Sequence, residues 1–410
     1  MNTKLLFNQT GLYQILFSIC VIIPFFNNYE LSFITWGMAI LLTLKKNYSL
    51  EFIKYWLIFV VIFFIAIVTS VFFDHQTYFF IRDITYILKP ICGLLLGYQL
   101  FNKYFENPYR ILVYAGLSIA VYHLLLVFIG IVFYGARTVA VIREHGGYFN
   151  DFEVYTFIIL VFHKQFSLGF SKQKTRYFIV IMALSSFFYL ARTNFIQMVV
   201  LSLALKGFFV LNKKSIIIVL GTLFLALSGY AAVYYYNPVR NGKGLDEFLY
   251  KIKMIPAEAF STKINRHDWK DFNDNYRSYE NIRTLEQLSR QENLWFGQGL
   301  GSKVNLKQKI YLGDMQLQYI SILHNGYMTV LLKAGLAGLF IYLISIFVLF
   351  KNSFVENKKL QLLNRLFIGT GVFLIISNWV FMGFYNPVDT KTLLIGFLFA
   401  YKNQILKANA

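Results

Sequence analysis

The sequence predicts an all-α integral membrane protein with about twelve transmembrane helices. Of its 410 residues, 57% are hydrophobic and only 14% are charged, and the mean hydropathy is +0.53. A soluble domain carries roughly 25% charged residues, and here long apolar runs recur from one end of the chain to the other. The apolar excess is therefore spread over many segments, as in a polytopic membrane protein, and does not belong to one large soluble core.

Twelve apolar segments have the length that a membrane helix needs, about 20 residues, or fewer where neighbouring helices shelter it. They lie near residues 8–26, 31–44, 52–73, 84–101, 111–134, 152–168, 177–191, 195–211, 215–236, 336–350, 362–385 and 390–402. The first segment has no small-residue cleavage signal after it, and further spans begin at once. We therefore expect a retained span and not a removed signal peptide.

Basic residues orient these spans. With the N-terminus inside, each cytoplasmic connection carries Lys or Arg, whereas the short outside connections 27–30 and 385–389 carry none. The cytoplasmic connections are 45–46, 102–110, 163–176, 212–214, 351–365 and the C-terminal tail. The positive-inside rule expects this asymmetry. It predicts two cytoplasmic termini, and it explains the formal charge of +19 without a nucleic-acid partner.

The spans divide the chain into three parts. Residues 1–236 are predicted to form a membrane bundle of about nine spans, 237–320 a large loop outside the cytoplasm, and 321–410 a surface helix followed by the last three spans. Within the loop, residues 245–254 and 276–292 are compatible with helices, which predicts a small helical cap. Gly335 and Gly338 are expected to mark the turn from the surface helix into the tenth span.

Several basic residues on the outer side are not required by topology. Arg192, in LARTNFIQM, lies between two apolar runs, where a guanidinium costs several kcal/mol unless it snorkels or finds a partner. It is either a functional residue or an interfacial anchor on a tight turn. Arg82 and Arg143 also lie in outside connections, and the composition of REHGGYFND around Arg143 is by itself that of an ordinary loop.

A His-Asn pair, His324 and Asn325, directly precedes an apolar segment and is predicted to begin the short helix at the outer surface. A lone histidine at an interface is more often structural, but this one lies among unexplained arginines. Asp268, Asp271 and Asp274 have helical spacing beside His267, but the spacing matches no known ligand motif. A solvated helix face is the favoured interpretation, so neither a metal nor another cofactor is expected.

These segments together resemble the O-antigen polymerase and O-antigen ligase superfamily, multispan bacterial glycosyltransferases that act on polyprenyl-pyrophosphate-linked glycans. The residues that match its motifs are, in chain order, Arg143, Gly147, Phe149 and Asn150, then Arg192 and Thr193, then Gly297, Gly299 and Gly301, and last His324, Asn325, Gly335 and Gly338. Arg283 and Gly299, separated by fifteen residues, match a further pattern associated with the polymerases. Two positions depart from the family pattern, since Ala191 replaces the usual Ser and Asp151 stands where Pro is frequent.

The resemblance implies a GT-C-like enzyme of the bacterial inner membrane, with its site on the periplasmic face. Its partners would be the bilayer, a polyprenyl-pyrophosphate-linked oligosaccharide and, as a further candidate, a chain-length regulator protein. Arginine binds phosphate oxygens with a planar fork and stays charged, so the leaving pyrophosphate could be neutralised without a metal. The catalytic candidates are His324, Arg283 and Arg192, and the substrate-binding candidates are Arg143, Arg82, Arg277, Asn325 and Gly299.

Three functions stay open at this point. A polymerase, which transfers the growing glycan to the next lipid-linked repeat unit, is favoured by the spacing of Arg283 and Gly299. The alternative is an O-antigen ligase, which transfers the glycan to lipid A core and is favoured by the His-Asn signature. A second alternative is a flippase or transporter of lipid-linked glycans, which would line a cavity within the spans with charge and have short outer loops.

Overall fold

The computed structural model describes residues 3–26, 28–209, 213–240, 244–262, 264, 272, 274–312, 315–351, 357–386 and 390–409. Of these described residues, 75% are helical. The helices up to residue 236 are α1 (Thr3–Ile22), α2 (Tyr29–Leu42), α3 (Leu50–Ser70), α4 (Thr77–Leu100), α5 (Pro108–Phe133), α6 (Val139–Gly146), α7 (Asp151–Val161), α8 (Lys172–Phe188), α9 (Arg192–Leu205) and α10 (Lys213–Tyr236). The remaining elements are α11 (Gly244–Lys253), α12 (Ile255–Phe260), α13 (Tyr276–Arg290), β1 (Val304–Leu312), β2 (Met315–Ile320), α14 (Gly326–Val348), α15 (Lys358–Phe381) and α16 (Lys391–Asn409). Short 3-10 turns occupy Ile23–Phe26 and Gly383–Tyr385.

Local sequence signals explain where many of these helices begin. A capping side chain accepts a hydrogen bond from a first-turn amide at eight of the helix starts, which satisfies a donor that the helix itself leaves free. The capping residues are Asn28, Ser49, Asn107, Thr138, Asn150, Ser171, Asn325 and Asn357.

A helix overlaps each of the twelve predicted spans. Within the described ranges, five helices are long and apolar enough to cross a membrane, namely α3, α5, α10, α14 and α15. The prediction of a helical membrane protein is confirmed at this level, and the count of twelve spans and their orientation stay predictions.

Close packing between α4 and α16 depends on small residues. A Cβ on Gly97 would lie 1.9 Å from the carbonyl oxygen of Leu393, and one on Gly396 would lie 2.1 Å from that of Leu94. The two helices therefore approach each other nearly backbone to backbone, which is how membrane helices gain contact area where lipid offers no hydrophobic driving force.

The tenth predicted span differs from the expected arrangement. Instead of a surface helix, a turn and a span beginning near residue 336, the chain forms one helix, α14, that begins at Gly326 and is kinked at Gly335 (φ 65°, ψ −165°). The amides of Leu336 and Ala337 donate to the carbonyls of Leu294 and Trp295 at 2.9 and 3.1 Å. The segment after α13 thus inserts against the kink, and only glycine fits there, since a Cβ on Gly335 would lie 2.2 Å from the Trp295 carbonyl oxygen.

The large loop is helical where the sequence predicts helices, in α11 and α13, and it also contains a β-hairpin that the predicted helical cap does not include. Strands β1 and β2 pair as an antiparallel hairpin, with Val304 opposite Ile320 and Leu312 opposite Met315. Val304 and Leu306, two residues apart, are both buried, which is the period expected when one face of a strand packs on a core. His267, Asp268 and Asp271 lie outside the described residues.

Candidate functional site

An open cavity lies where the cap helices meet the membrane bundle. Six helices contribute side chains to it, namely α6, α9, α11, α12, α13 and α15. We call it the arginine cavity, defined by Arg143, Arg192, Lys251, Glu258, Arg277 and Trp379. Segments more than 200 residues apart in sequence therefore converge on one space.

Glu258 bridges two of the arginines. The Nη2 atom of Arg192 lies 3.1 and 3.3 Å from the two carboxylate oxygens of Glu258, and Nη1 of Arg277 lies 3.7 Å from one of them. Arg192 also donates to the backbone carbonyl of Lys251. All three charged side chains keep between a fifth and a third of their surface exposed, so they remain accessible from the cavity.

Arg143 completes the group. Its Nη2 donates to the carbonyl of Tyr148 at 3.3 Å, and its guanidinium lies 5.2 Å from the centre of the Tyr148 ring. Among the described residues its buried Nε has no hydrogen-bond partner. Burial lowers the pKa of Arg143, and the nearby positive charges of Arg192 and Arg277 lower it further. Arg143, Arg192 and Arg277 line one cavity, so their positive charges repel one another.

The cavity has an excess of positive charge. Its described lining carries four basic side chains and two acidic ones. Burial also lowers the pKa of Arg277, the Glu258 carboxylate raises it, and repulsion from Arg192 lowers it. Clustered guanidiniums that are only partly neutralised favour an anion with several oxygens, because each guanidinium can donate two parallel hydrogen bonds.

A second group, next to the cavity, holds His324 against Glu280. Nδ1 of His324 lies 3.0 and 3.1 Å from the Glu280 carboxylate oxygens, and the His324 amide donates to the same carboxylate at 3.1 Å. Glu280 is buried, whereas 48% of the His324 side chain is exposed. Because a carboxylate accepts, Nδ1 carries the proton in this contact, and the lone pair of Nε2 is left available.

Helix α13 and a backbone hydrogen bond from Met382 connect His324 to the arginine cavity. Glu280 follows Arg277 by three residues on α13, so both lie on one helix face, and the Glu280 charge acts on the pKa of Arg277. The carbonyl of His324 accepts from the amide of Met382 at 3.1 Å, one residue after Phe381, which lines the cavity.

Asn325 has a structural use. Its side chain accepts from the amides of Tyr327 and Met328 at 2.9 and 3.2 Å and so caps α14. The side chain is buried, although its amide nitrogen has no partner among the described residues. The sequence-based assignment to substrate binding is therefore not supported by a contact with the cavity.

The catalytic candidate Arg283, unlike Arg192, does not line the arginine cavity. It is 4% exposed, its Nε and Nη2 donate to the Asn305 carbonyl at 3.3 and 3.4 Å, and Nη1 pairs with Glu286. It follows Arg277 by six residues on α13, which turns it to a different helix face. Arg283 thus joins α13 to β1, and Arg277 is the arginine of α13 that faces the cavity.

Gly299 and Arg82 also lie elsewhere among the described residues. A Cβ on Gly299 (φ +75°) would lie 2.4 Å from the backbone nitrogen of Ser70, so this glycine allows the loop to pack against the end of α3. Arg82 lies over the Phe79 ring, with its guanidinium 4.9 Å from the ring centre, and 3.9 Å from Asp83. Neither residue lines the arginine cavity.

Sequence reasoning missed a buried ion pair that fixes the loop containing Gly297, Gly299 and Gly301. Nζ of Lys333 lies 2.6 Å from Asp83, both side chains being almost fully buried, and the Gly301 amide donates to the same carboxylate at 2.7 Å. Breaking a buried pair leaves an uncompensated charge, so this contact holds α4, α14 and the loop in one arrangement.

The carboxylates of the site, Glu258 and Glu280, were also missed. Glu280 could have been noticed from its spacing of three residues from both Arg277 and Arg283. Glu258 gives no such signal, because its partners are distant in sequence. No group of three metal-ligating side chains occurs within the part of the chain that the structure describes.

Comparison with known proteins gives one family. The family model described as O-antigen ligase matches residues 177–343, a segment that begins in α8, ends in α14 and includes Arg192, Glu258, Arg277, Glu280 and His324. The resemblance noted in the sequence is confirmed over this segment. Among curated proteins and solved structures, none matches the chain significantly.

Proposed function

We propose that this chain is a membrane glycosyltransferase of bacterial surface polysaccharide synthesis, which transfers a glycan from a polyprenyl pyrophosphate to a hydroxyl acceptor. The observation that carries the proposal is the pairing of Arg192 and Arg277 with Glu258, with Arg143 lining the same cavity and the pair of His324 and Glu280 next to it. The family match over residues 177–343 supports it. The proposed location is the inner membrane, with the cavity on the periplasmic face.

The arginine cavity suits the pyrophosphate. Nucleotide sugars are absent on the outer side of the membrane, so a sugar donor there must carry its own leaving group. The arginines would bind the two phosphates and neutralise the charge that builds up as the bond from the anomeric carbon to the phosphate oxygen breaks. Apolar residues that share the lining, such as Ile196, Phe248 and Val380, would accept the lipid or sugar faces beside the charged group.

His324 is the proposed base. The acceptor hydroxyl would attack the anomeric carbon, its proton would pass to Nε2 of His324, and the polyprenyl pyrophosphate would leave on the arginines. Glu280 holds Nδ1 and would stabilise the imidazolium that forms. The exposed half of His324 then allows the proton to pass to water. Metal-independent transfer of this kind needs only side chains that the site contains.

Two acceptors are candidates. The polymerase was favoured by the spacing of Arg283 and Gly299. Arg283, however, packs against β1 and Gly299 against the end of α3, and neither residue lines the cavity. The ligase is favoured by the His-Asn signature and by the description of the matching family. A transporter is disfavoured, because the charged cavity lies against a large cap and not in the middle of the spans.

The experiment is to characterise the glycans in a strain from which the gene is deleted. Single repeat units on lipid A would identify a polymerase, which could then work with a chain-length regulator. Lipid-linked polymer that is not transferred would identify a ligase. Repeat units retained on the inner leaflet would contradict the proposal, because that product is expected when a transporter is missing. Complementation with wild-type protein and with Arg192→Ala at matched abundance is the control.

A further inference from the structure

A buried polar network lies between α5, α7 and α8, and one of its members directly precedes Leu190, which lines the arginine cavity. Tyr189 donates its hydroxyl to Glu153 at 3.0 Å, and Nδ1 of His123 lies 2.7 Å from the hydroxyl of Ser185. The rings of His123 and Tyr189 stack face to face, with centroids 3.7 Å apart and planes at 3°. All four side chains are fully buried. We call these four residues the stack network.

The stack network is unusual in its surroundings. Ionisable side chains inside a membrane bundle are costly and are normally retained for a function. One Glu153 oxygen and Nε2 of His123 have no hydrogen-bond partner among the described residues. None of the four residues lines the arginine cavity, so the network does not contact a substrate there. The network can therefore act only through the elements that pack against it.

One of those elements is the turn that carries Arg192. Tyr189 is the C-cap residue of α8, Leu190 has φ +49°, Ala191 is extended, and Arg192 is the first residue of α9. At the end of a helix, the left-handed conformation is normally adopted by glycine. A leucine persists there only when its surroundings fix the turn. The buried, hydrogen-bonded and stacked ring of Tyr189 fixes it one residue before Leu190.

The other element is α6, which carries Arg143. A Cβ on Gly146 would lie 2.9 Å from Nε2 of His123 and 2.7 Å from the side chain of Val127. Gly147 (φ +104°) donates its amide to the carbonyl of Arg143 at 2.9 Å. The C-terminal end of α6 therefore rests directly on the His123 ring, with Arg143 one turn earlier. This contact explains the glycine at position 146, and the positive φ at the helix end explains the glycine at position 147.

We propose that the stack network positions the guanidiniums of Arg143 and Arg192, so that both face the cavity in a fixed relation. His123, Glu153, Ser185 and Tyr189 are positioning residues, since they act through the two arginines and do not reach the cavity. The proposal rests on the proposed function only in taking the bound anion to be a pyrophosphate. Bidentate contact requires aligned N–H groups, and a shift of about 1 Å can cost about 100-fold in rate.

The test uses Tyr189→Phe, which keeps the stacked ring and removes the hydroxyl bond to Glu153. The matched control is Tyr155→Phe. Tyr155 is equally buried and its hydroxyl bonds Leu366 and Thr370 at 3.4 and 3.0 Å, away from the cavity. Both variants are purified full length in nanodiscs and compared by thermal unfolding, so that a general loss of stability is measured separately.

Two measurements are then made on the folded wild-type and variant proteins. The first is binding of inorganic pyrophosphate, which should weaken about tenfold in Tyr189→Phe, as expected when a charge-assisted contact is lost, and should stay unchanged in Tyr155→Phe. The second is the rate of phenylglyoxal modification at Arg143 and Arg192, resolved by peptide mass spectrometry. That rate should rise at Arg192 in Tyr189→Phe and at Arg143 in Gly146→Ala.

The outcomes separate the two proposals. Unchanged modification rates in Tyr189→Phe and Gly146→Ala, or equal changes in Tyr155→Phe, would overturn the positioning role. Pyrophosphate binding that is the same in wild type and in Arg192→Ala would instead remove support for the proposed function. The modification rates would still decide the positioning role in that case, because they do not depend on any substrate.

Discussion

Two arginines on one helix should respond differently to the same substitution. Arg277 and Arg283 both lie on α13, yet Arg277 lines the arginine cavity and Arg283 is buried against the Asn305 carbonyl. We predict that Arg277→Lys loses most of the glycosyl transfer, whereas Arg283→Lys keeps it and loses stability. The motif spacing in the sequence favours the opposite assignment, which makes the comparison a direct test of the structure.

The expected magnitudes follow from the contacts. Lys at position 277 is a point charge that cannot reproduce the fork, and removing one preorganised donor from a developing anion costs about 100-fold in kcat, or roughly 2.7 kcal/mol. At position 283 the Asn305 carbonyl would lose two long hydrogen bonds, and Glu286 would lose its close partner. Leaving a fully buried acceptor unsatisfied costs roughly 1–3 kcal/mol of stability. The contact with Asn305 is only partly buried, so we expect a loss near the lower end, about 1 kcal/mol.

The assay measures glycan product against the amount of folded protein, with thermal unfolding of the purified variants alongside. The expected result is a low product yield at nearly normal stability for Arg277→Lys, and a normal yield per folded molecule for Arg283→Lys. An inactive Arg283→Lys with wild-type thermal stability, together with an active Arg277→Lys, would refute the assignment of faces on α13.

Two further predictions concern the base and the topology. His324→Ala should abolish product while the protein accumulates normally, whereas Asn325→Ala should mainly lower stability by about 1 kcal/mol through loss of the α14 cap; wild-type product from His324→Ala at normal abundance would exclude the base. A cysteine at Ser289, an exposed position on α13, should react with a membrane-impermeant maleimide in intact cells. The background from the native cysteines should be low, since Cys20 is buried and Cys92 lies within α4. Labelling only after the inner membrane is permeabilised would contradict the proposed orientation.

Much of the fold could be predicted because apolar runs of membrane length are a strong local signal. The hairpin of β1 and β2 was missed, because its residues alternate only briefly and the strand interior includes Lys307 and Lys309. The kink in α14 was predicted only as a turn. A glycine indicates that the backbone bends or is closely approached, but the approaching carbonyl of Trp295 is not adjacent in sequence.

The site was predictable in its arginines and histidine but not in its carboxylates. Arg192 and His324 stand out because charge at a membrane boundary needs an explanation. Glu258 does not, since an acidic residue in a polar loop is ordinary until its partner is known. The sequence favoured Arg283 over Arg277 as a catalytic candidate for a related reason. Spacing along α13 shows which residues share a face, but tertiary packing decides which face is turned to the cavity.

The face that α13 turns to the bundle gives a physical reason to treat the cavity and His324 as one site. Arg277 and Glu280 are three residues apart, so their backbone positions differ by about 4.5 Å along the helix axis. In glycosyl transfer the anomeric carbon lies between the leaving oxygen and the attacking oxygen, a span of similar size. If Arg277 holds the leaving pyrophosphate and Glu280 orients the base, a single rigid helix fixes the distance between the two ends of the reaction. The same relation could not be held as firmly by two independent loops, because catalytic groups lose rate steeply when they are misplaced by about 1 Å.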